Sequence, residues 1–97
     1  MTEDDMLRGI TQALTLGGWT WTHSRRSDQA LTMGTPGVPD IIAVHPKRGM
    51  LVLELKSERG TFRPGQQEWL ATLAHVGVDA RVIRPADYDA LIREVVR

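Results

Sequence analysis

Two short apolar runs on either side of a turn, DIIAV at 40–44 and MLVLELK at 50–56, constrain this chain more than any other stretch of it. The intervening HPKRG carries turn-forming Pro46 and Gly49, so the runs should pair as an antiparallel hairpin. Side chains alternate along a strand, which puts Leu51, Leu53 and Leu55 on one face and Met50, Val52, Glu54 and Lys56 on the other. Glu54 and Lys56 then point the same way, about 7 Å apart along the strand. Directly opposed residues of a hairpin share a face. The register that opposes Ile41 to Leu53, Ile42 to Val52, Ala43 to Leu51 and Val44 to Met50 makes every pair apolar, and it also brings Asp40 opposite Glu54. A slip of one residue would oppose Asp40 to Leu55 and strand Glu54 among aliphatic side chains. The pattern therefore selects the register that joins two acids.

The flanking segments supply a frame for that hairpin. TEDDMLRGITQALTLGG reads as a helix: Thr2 can cap it, Glu3, Asp4 and Asp5 occupy the turn where the dipole favours acids, and Met6, Ile10, Ala13 and Leu14 recur at helical spacing. Gly17 and Gly18 end it. WTWTH alternates in the manner of a half-buried strand with Trp19, Trp21 and His23 on one face, and both tryptophans are expected in the core, base stacking being the other use for them. SRRSDQALTMGTPG is polar and aperiodic and reads as a long loop. After the turn-rich SERGTFRPGQ, residues Gln66, Trp69, Leu70, Leu73 and Val76 mark a second helix with Gly77 as its cap. DARVIRP gives a short strand, and ADYDALIREVV a last helix with Leu91, Ile92 and Val95 as its apolar face. A strand, helix, strand passage calls for a right-handed crossover and parallel strands, while the first three strands can form an antiparallel meander. The expected fold is α/β: a mixed four-stranded sheet flanked by helices in the order αβββαβ, with an extra C-terminal helix, all in one domain over residues 1–97.

Composition narrows the chemistry. Twelve basic and twelve acidic residues cancel, so the chain does not hold nucleic acid by bulk charge. The basic residues nevertheless gather at 23–26, 47–48 and 56–63, either as a local rim or as solvated loops. The absence of cysteine removes disulfides and thiolate zinc sites and points to an intracellular, cytoplasmic protein, and no stretch has the length to cross a bilayer. No glycine-rich phosphate loop and no Ser, His, Asp nucleophile set appears. Two carboxylates held side by side repel unless a cation lies between them. An Asp and a Glu with nearby carbonyl and water oxygens suit Mg²⁺ or Mn²⁺, and an adjacent lysine can neutralise an attacking water or a scissile phosphate. The other reading of the same residues is a surface ion pair between Glu54 and Lys56, with Asp40 merely starting a strand after Pro39.

A PD followed by an E-x-K strand resembles the PD-(D/E)XK nuclease superfamily, and the element order agrees with that superfamily's αβββαβ core. More narrowly, the TE helix, GW, GVPD, ELKS, P-x-Q-x-x-W-L and G-x-x-x-x-V-x-R-P together resemble the VRR-NUC domain over nearly the whole chain. The short stand-alone forms, often phage-encoded, look most similar, which implies a phage or bacterial origin. The resemblance implies that Asp40 and Glu54 bind the metal with the Leu55 carbonyl as a third ligand, and that Lys56 positions the water and stabilises phosphate charge. Gln66, three residues before Trp69, matches the family's helix glutamine; Gln67 is offset by one. These four, Asp40, Glu54, Lys56 and Gln66, form the implied catalytic set. Glu3 matches the acid of the N-terminal helix and would complete the metal shell through water, with Asp4 and Asp5 beside it as rivals and a plain helix-dipole role as the other reading. His23, Arg25, Arg26 and Ser27 fall where similar sequences carry a His and a Ser among basic residues, and with Arg59 and Arg63 they are the expected contacts to DNA phosphates, which fix position without reading sequence. A lone His at a strand end also has a purely structural reading.

Taken together, the resemblance implies a Mg²⁺- or Mn²⁺-dependent DNA endonuclease that hydrolyses phosphodiesters. Stand-alone members look like Holliday-junction resolvases, so branched DNA is the implied substrate and a two-fold homodimer the implied assembly, since a junction presents two strands to be cut. The rival is a non-catalytic DNA-binding or assembly module on the same fold.

Overall fold

A computed structural model of the chain describes residues 1–24 and 33–97. Its elements are α1 (Glu3–Leu16), β1 (Thr20–His23), β2 (Ile41–His45), β3 (Gly49–Leu55), α2 (Gln66–His75), β4 (Asp79–Ile83) and α3 (Pro85–Val95). Helix α1 begins in a reciprocal cap: the Asp5 N–H donates to Thr2 Oγ1 at 3.1 Å, and the Thr2 N–H donates to Asp5 Oδ2 at 3.0 Å. The hydrogen bond from the Thr2 backbone, aided by the Thr2 side chain, holds the Asp5 carboxyl below its ordinary pKa. Met6, Ile10, Ala13 and Leu14 form the buried stripe of α1, as their spacing requires.

The four strands lie in the order β1-β2-β3-β4, with the first three antiparallel and β4 parallel to β3. The β2/β3 register opposes Ile41 to Leu53, Ile42 to Val52, Ala43 to Leu51 and Val44 to Met50, the pairing that hydrophobic parity demanded. On one sheet face, Ile41, Ala43, Leu51, Leu53, Leu55 and Ile83 meet α1 and α3 in a single core. Helix α2 lies on the other face, packed against β4.

Three features depart from sequence expectation. The strands stop one residue short, leaving Asp40 before β2 and Lys56 after β3. The reason is that Asp40 substitutes its side chain for the ladder: its Oδ2 accepts the Leu55 N–H at 2.7 Å, while its backbone oxygen accepts the Ser24 N–H at 2.8 Å. Trp19 is in the core as expected, its indole N–H donating to Val95 O at 2.9 Å, but Trp21 is 37 % exposed. Trp21 sits on the outer strand of the described sheet, where it borders the last turns of α1 and its N–H donates to Thr15 Oγ1 at 2.9 Å. Helix α2 also buries less than its apolar spacing suggests: Gln66 is its one buried residue and Val76 is exposed.

Candidate active site

The hairpin ends, the connector that follows β3 and the first turn of α2 converge on four polar side chains. Asp40, Glu54, Lys56 and Gln66 are respectively 6, 0, 3 and 4 % exposed, which makes them the buried polar residues among those described. Burial of charge is costly unless hydrogen bonds replace water, and Gln66 supplies the bonds here. Its Nε2 donates to Glu54 Oε2 at 3.0 Å, while its Oε1 accepts from Lys56 Nζ at 2.7 Å and from the Arg63 N–H at 2.7 Å. The amide therefore joins the carboxylate and the ammonium, whose own separation is 3.7 Å. Gln67, one residue on, is exposed. The solvent-exposed ion pair that was the other reading of Glu54 and Lys56 does not describe this buried arrangement.

The site is held by backbone contact as well. Gly65 caps α2 with φ +87, and a Cβ built there would lie 2.0 Å from Pro36 O; one built on Gly37 would lie 2.5 Å from the Gln66 nitrogen. The GVPD segment and the start of α2 thus touch main chain to main chain, a closeness only glycine permits. The Trp69 indole donates to Thr35 O at 3.1 Å and fastens the same two segments.

On the α1 side of Asp40 a cavity of about 150 Å³ is lined by Glu3, Asp4, Leu7, His23, Asp40 and Leu55. Glu3, Asp4 and His23 are thereby brought to the carboxylate, whereas Asp5 is committed to the helix cap. Among the described residues, no three His, Cys, Asp or Glu side chains gather closely enough to hold a metal ion by themselves. The groups that could hold one are the Asp40 and Glu54 carboxylates and the Leu55 carbonyl, with Glu3 at the cavity wall. Arg59 and Arg63 are exposed on the connector that passes over Lys56. Arg25, Arg26 and Ser27 lie outside the described residues. A wider, open hollow of about 440 Å³ between α1 and Trp21 has no ionisable residue in its lining.

Two contributors were not read from sequence. The Phe62 ring lies 5.5 Å from Lys56 Nζ, a cation over an aromatic face. Arg84 reaches back to the connector after β3 and donates to Ser57 O, Gly60 O and Glu58 O. Phe62 had no signal beyond its place in a turn-rich connector, and Arg84 stood in the V-x-R-P motif with no role attached.

The model of the VRR-NUC domain family matches residues 11–87. A solved structure described as a VRR_NUC domain superposes with a TM-score of 0.70 at 18 % identity, covering 96 % of this chain and 97 % of its own. A second, described as a VRR_NUC domain protein, gives 0.64 at 20 % identity, covering 99 % and 88 %. The sequence finds no match among curated proteins.

Proposed function

This chain belongs to the VRR-NUC domain family, a nuclease-type domain of the PD-(D/E)XK superfamily, and from that membership and its buried polar array we propose that it is a divalent-metal-dependent endonuclease that hydrolyses DNA phosphodiesters, with branched DNA such as Holliday junctions as substrate and a homodimer as the working form. The observation that carries the catalytic reading is the Gln66 amide bridging buried Glu54 and Lys56. A small interaction domain has no use for a carboxylate, an ammonium and an amide taken out of water together, because such groups cost stability in a core this size.

The donor chemistry fits Mg²⁺ or Mn²⁺: two carboxylates and a carbonyl are hard oxygen ligands, and the absence of a third ligating side chain among the described residues leaves positions for water and a phosphate oxygen. When bound, the ion supplies Lewis-acid charge at the phosphate and lowers the pKa of water. Asp40 and Glu54 would hold it with the Leu55 carbonyl, and Glu3 would act through water from the cavity wall. Asp40 is oriented for this because its Oδ2 accepts the Leu55 N–H. Lys56 keeps positive charge beside the reacting phosphate as negative charge builds there. Gln66 bridges Lys56 and Glu54 from the side, its oxygen accepting from the ammonium and its Nε2 donating to the carboxylate, and so fixes both groups in place. His23 borders the cavity, and Arg59 and Arg63 are exposed beside Lys56, placements that suit phosphate contacts in a protein of zero net charge. Arg25, Arg26 and Ser27 are proposed to join them. No helix among the described residues is long and apolar enough to span a membrane.

Matched linear, flap and four-way DNA substrates, incubated with Mg²⁺ and separately with chelator, test the proposal. Cleavage of the four-way substrate that stops with chelator is expected. Binding without cleavage under every metal condition would instead identify a non-catalytic DNA-binding module.

A further inference from the structure

The connector between β3 and α2 is folded around the Lys56 side chain. The Gly60 N–H donates to Ser57 O at 3.2 Å and closes a tight turn. A Cβ on Gly60 would lie 2.9 Å from Ser57 Oγ and 3.6 Å from Lys56 Cδ, so the turn rests against the lysine's aliphatic stem. Past the turn, Phe62 faces the ammonium, and the Arg63 N–H shares the Gln66 oxygen with it. The burial of Lys56 therefore depends on this connector keeping its shape.

A turn of this kind gathers carbonyl oxygens, and a cation from a distant part of the chain meets them. Arg84 Nη1 lies 2.8 Å from Ser57 O, 3.0 Å from Gly60 O and 3.3 Å from Glu58 O. Hydrogen bonds from an ionised donor are about twice as strong as neutral ones. Arg84 is itself fixed, its N–H donating to Asp87 Oδ2 at 2.9 Å at the start of α3. The residue before it, Ile83, accepts the Lys56 N–H at 3.0 Å. The end of β4 thus grips the backbone of Lys56 through one residue and the turn that covers its side chain through the next.

We propose that Arg84 is a positioning residue of the nuclease centre: its guanidinium locks the 57–60 turn so that Phe62 and Gln66 hold the Lys56 ammonium beside Glu54. This rests on the nuclease reading above. Arg84 acts through the turn and not on the reacting atoms, so its loss lowers turnover without weakening DNA binding.

The chain contains two lysines, exposed Lys47 and buried Lys56, so acylation by an amine-reactive ester followed by peptide mass spectrometry reports the enclosure independently of catalysis. In Arg84→Gln, Lys56 acylation should rise about tenfold with Lys47 unchanged, while kcat falls about tenfold and KM stays within about twofold. Arg84→Lys, or millimolar guanidinium added to Arg84→Gln, should recover part of the lost turnover, an effect that general destabilisation would not produce. Continued protection of Lys56 in Arg84→Gln, or its exposure with unchanged kcat in an active enzyme, would overturn the proposal. Should Arg84→Gln unfold, which loss of its far-ultraviolet circular dichroism would report, Arg84→Lys then carries the same comparison. A wild-type protein that cuts no DNA would remove the nuclease reading alone, and the acylation ratio would still decide whether Arg84 holds Lys56.

Discussion

Asp40 has two tasks that can be separated by substitution, because one carboxylate oxygen takes a buried main-chain N–H and the group as a whole is proposed to bind metal. Asp40→Asn keeps an acceptor for Leu55 and removes the charge, so it should abolish cleavage while leaving metal-free stability within about 1 kcal/mol of wild type. Asp40→Ala leaves that N–H without an acceptor and should cost a further penalty of about 1–3 kcal/mol in urea unfolding. Equal stability of the two variants would show that the hydrogen bond contributes nothing. Lys56 is the more dangerous residue to change. Lys56→Met fills the same space but withdraws the cation from buried Glu54, for which a loss of about 3 kcal/mol is expected alongside a fall in turnover much larger than any fall in DNA affinity. A variant that lost only affinity would contradict the role proposed for Lys56 at the reacting phosphate.

Among the elements, β4 and α3 are tied by charge on the face away from the site. Arg81 donates to both oxygens of Glu94 at 2.8 and 2.7 Å and to both oxygens of Asp79 at 2.8 Å. Those bonds hold both carboxyls below their ordinary pKa values of 4.5 and 3.8 and raise that of the guanidinium. Carboxyls depressed on folding add stability that is complete above those ordinary values and is lost as pH falls through the lower, folded ones. All three groups are partly exposed, so Glu94→Gln should cost less than about 1 kcal/mol at neutral pH. The gap between variant and wild type in urea melts should narrow as pH drops below the carboxylate range; a gap that stayed constant would mean Glu94 acts by packing alone. How far such elements were legible in the sequence followed the range of the forces. The β2/β3 register was legible because parity and two acids left one acceptable pairing, and α1 because Thr2 and the acids after it are a local cap. Trp21 was misread because strand alternation looks the same on an outer strand as on an inner one. Helix α2 was misread because its apolar spacing implied a core face, whereas its deepest contact is the polar Gln66. Arg84 bonds to a carbonyl 24 residues away, and no local pattern announces a partner at that distance.

For the whole molecule, β1 is the element that bears on assembly. Among the described residues it has a neighbour on one side only, and it carries the half-exposed Trp21 and lies beside Leu16, which is 81 % exposed at the end of α1. An outer strand with unpaired main-chain groups and apolar residues next to it is normally covered, twisted away or paired with another chain. Pairing of two β1 strands about a two-fold axis normal to the sheet would oppose residues of the same face, so Trp21 would meet Trp21 or His23 of the second copy, never Thr22. Such a dimer carries two Asp40 and Glu54 sites, as cutting both strands of a four-way junction requires, and a single 97-residue chain carries one. Light scattering at micromolar concentration should therefore give twice the 10.8 kDa chain mass. Trp21→Glu should shift that mass to the monomer, because a charge placed in the shared face is opposed by its own copy, while far-ultraviolet circular dichroism stays unchanged since Trp21 is outside the core. Paired cutting of four-way DNA should be lost in this variant and nicking of single strands retained. A wild-type monomer that trims ends but ignores junctions would leave the nuclease standing and remove both the dimer and the branched substrate.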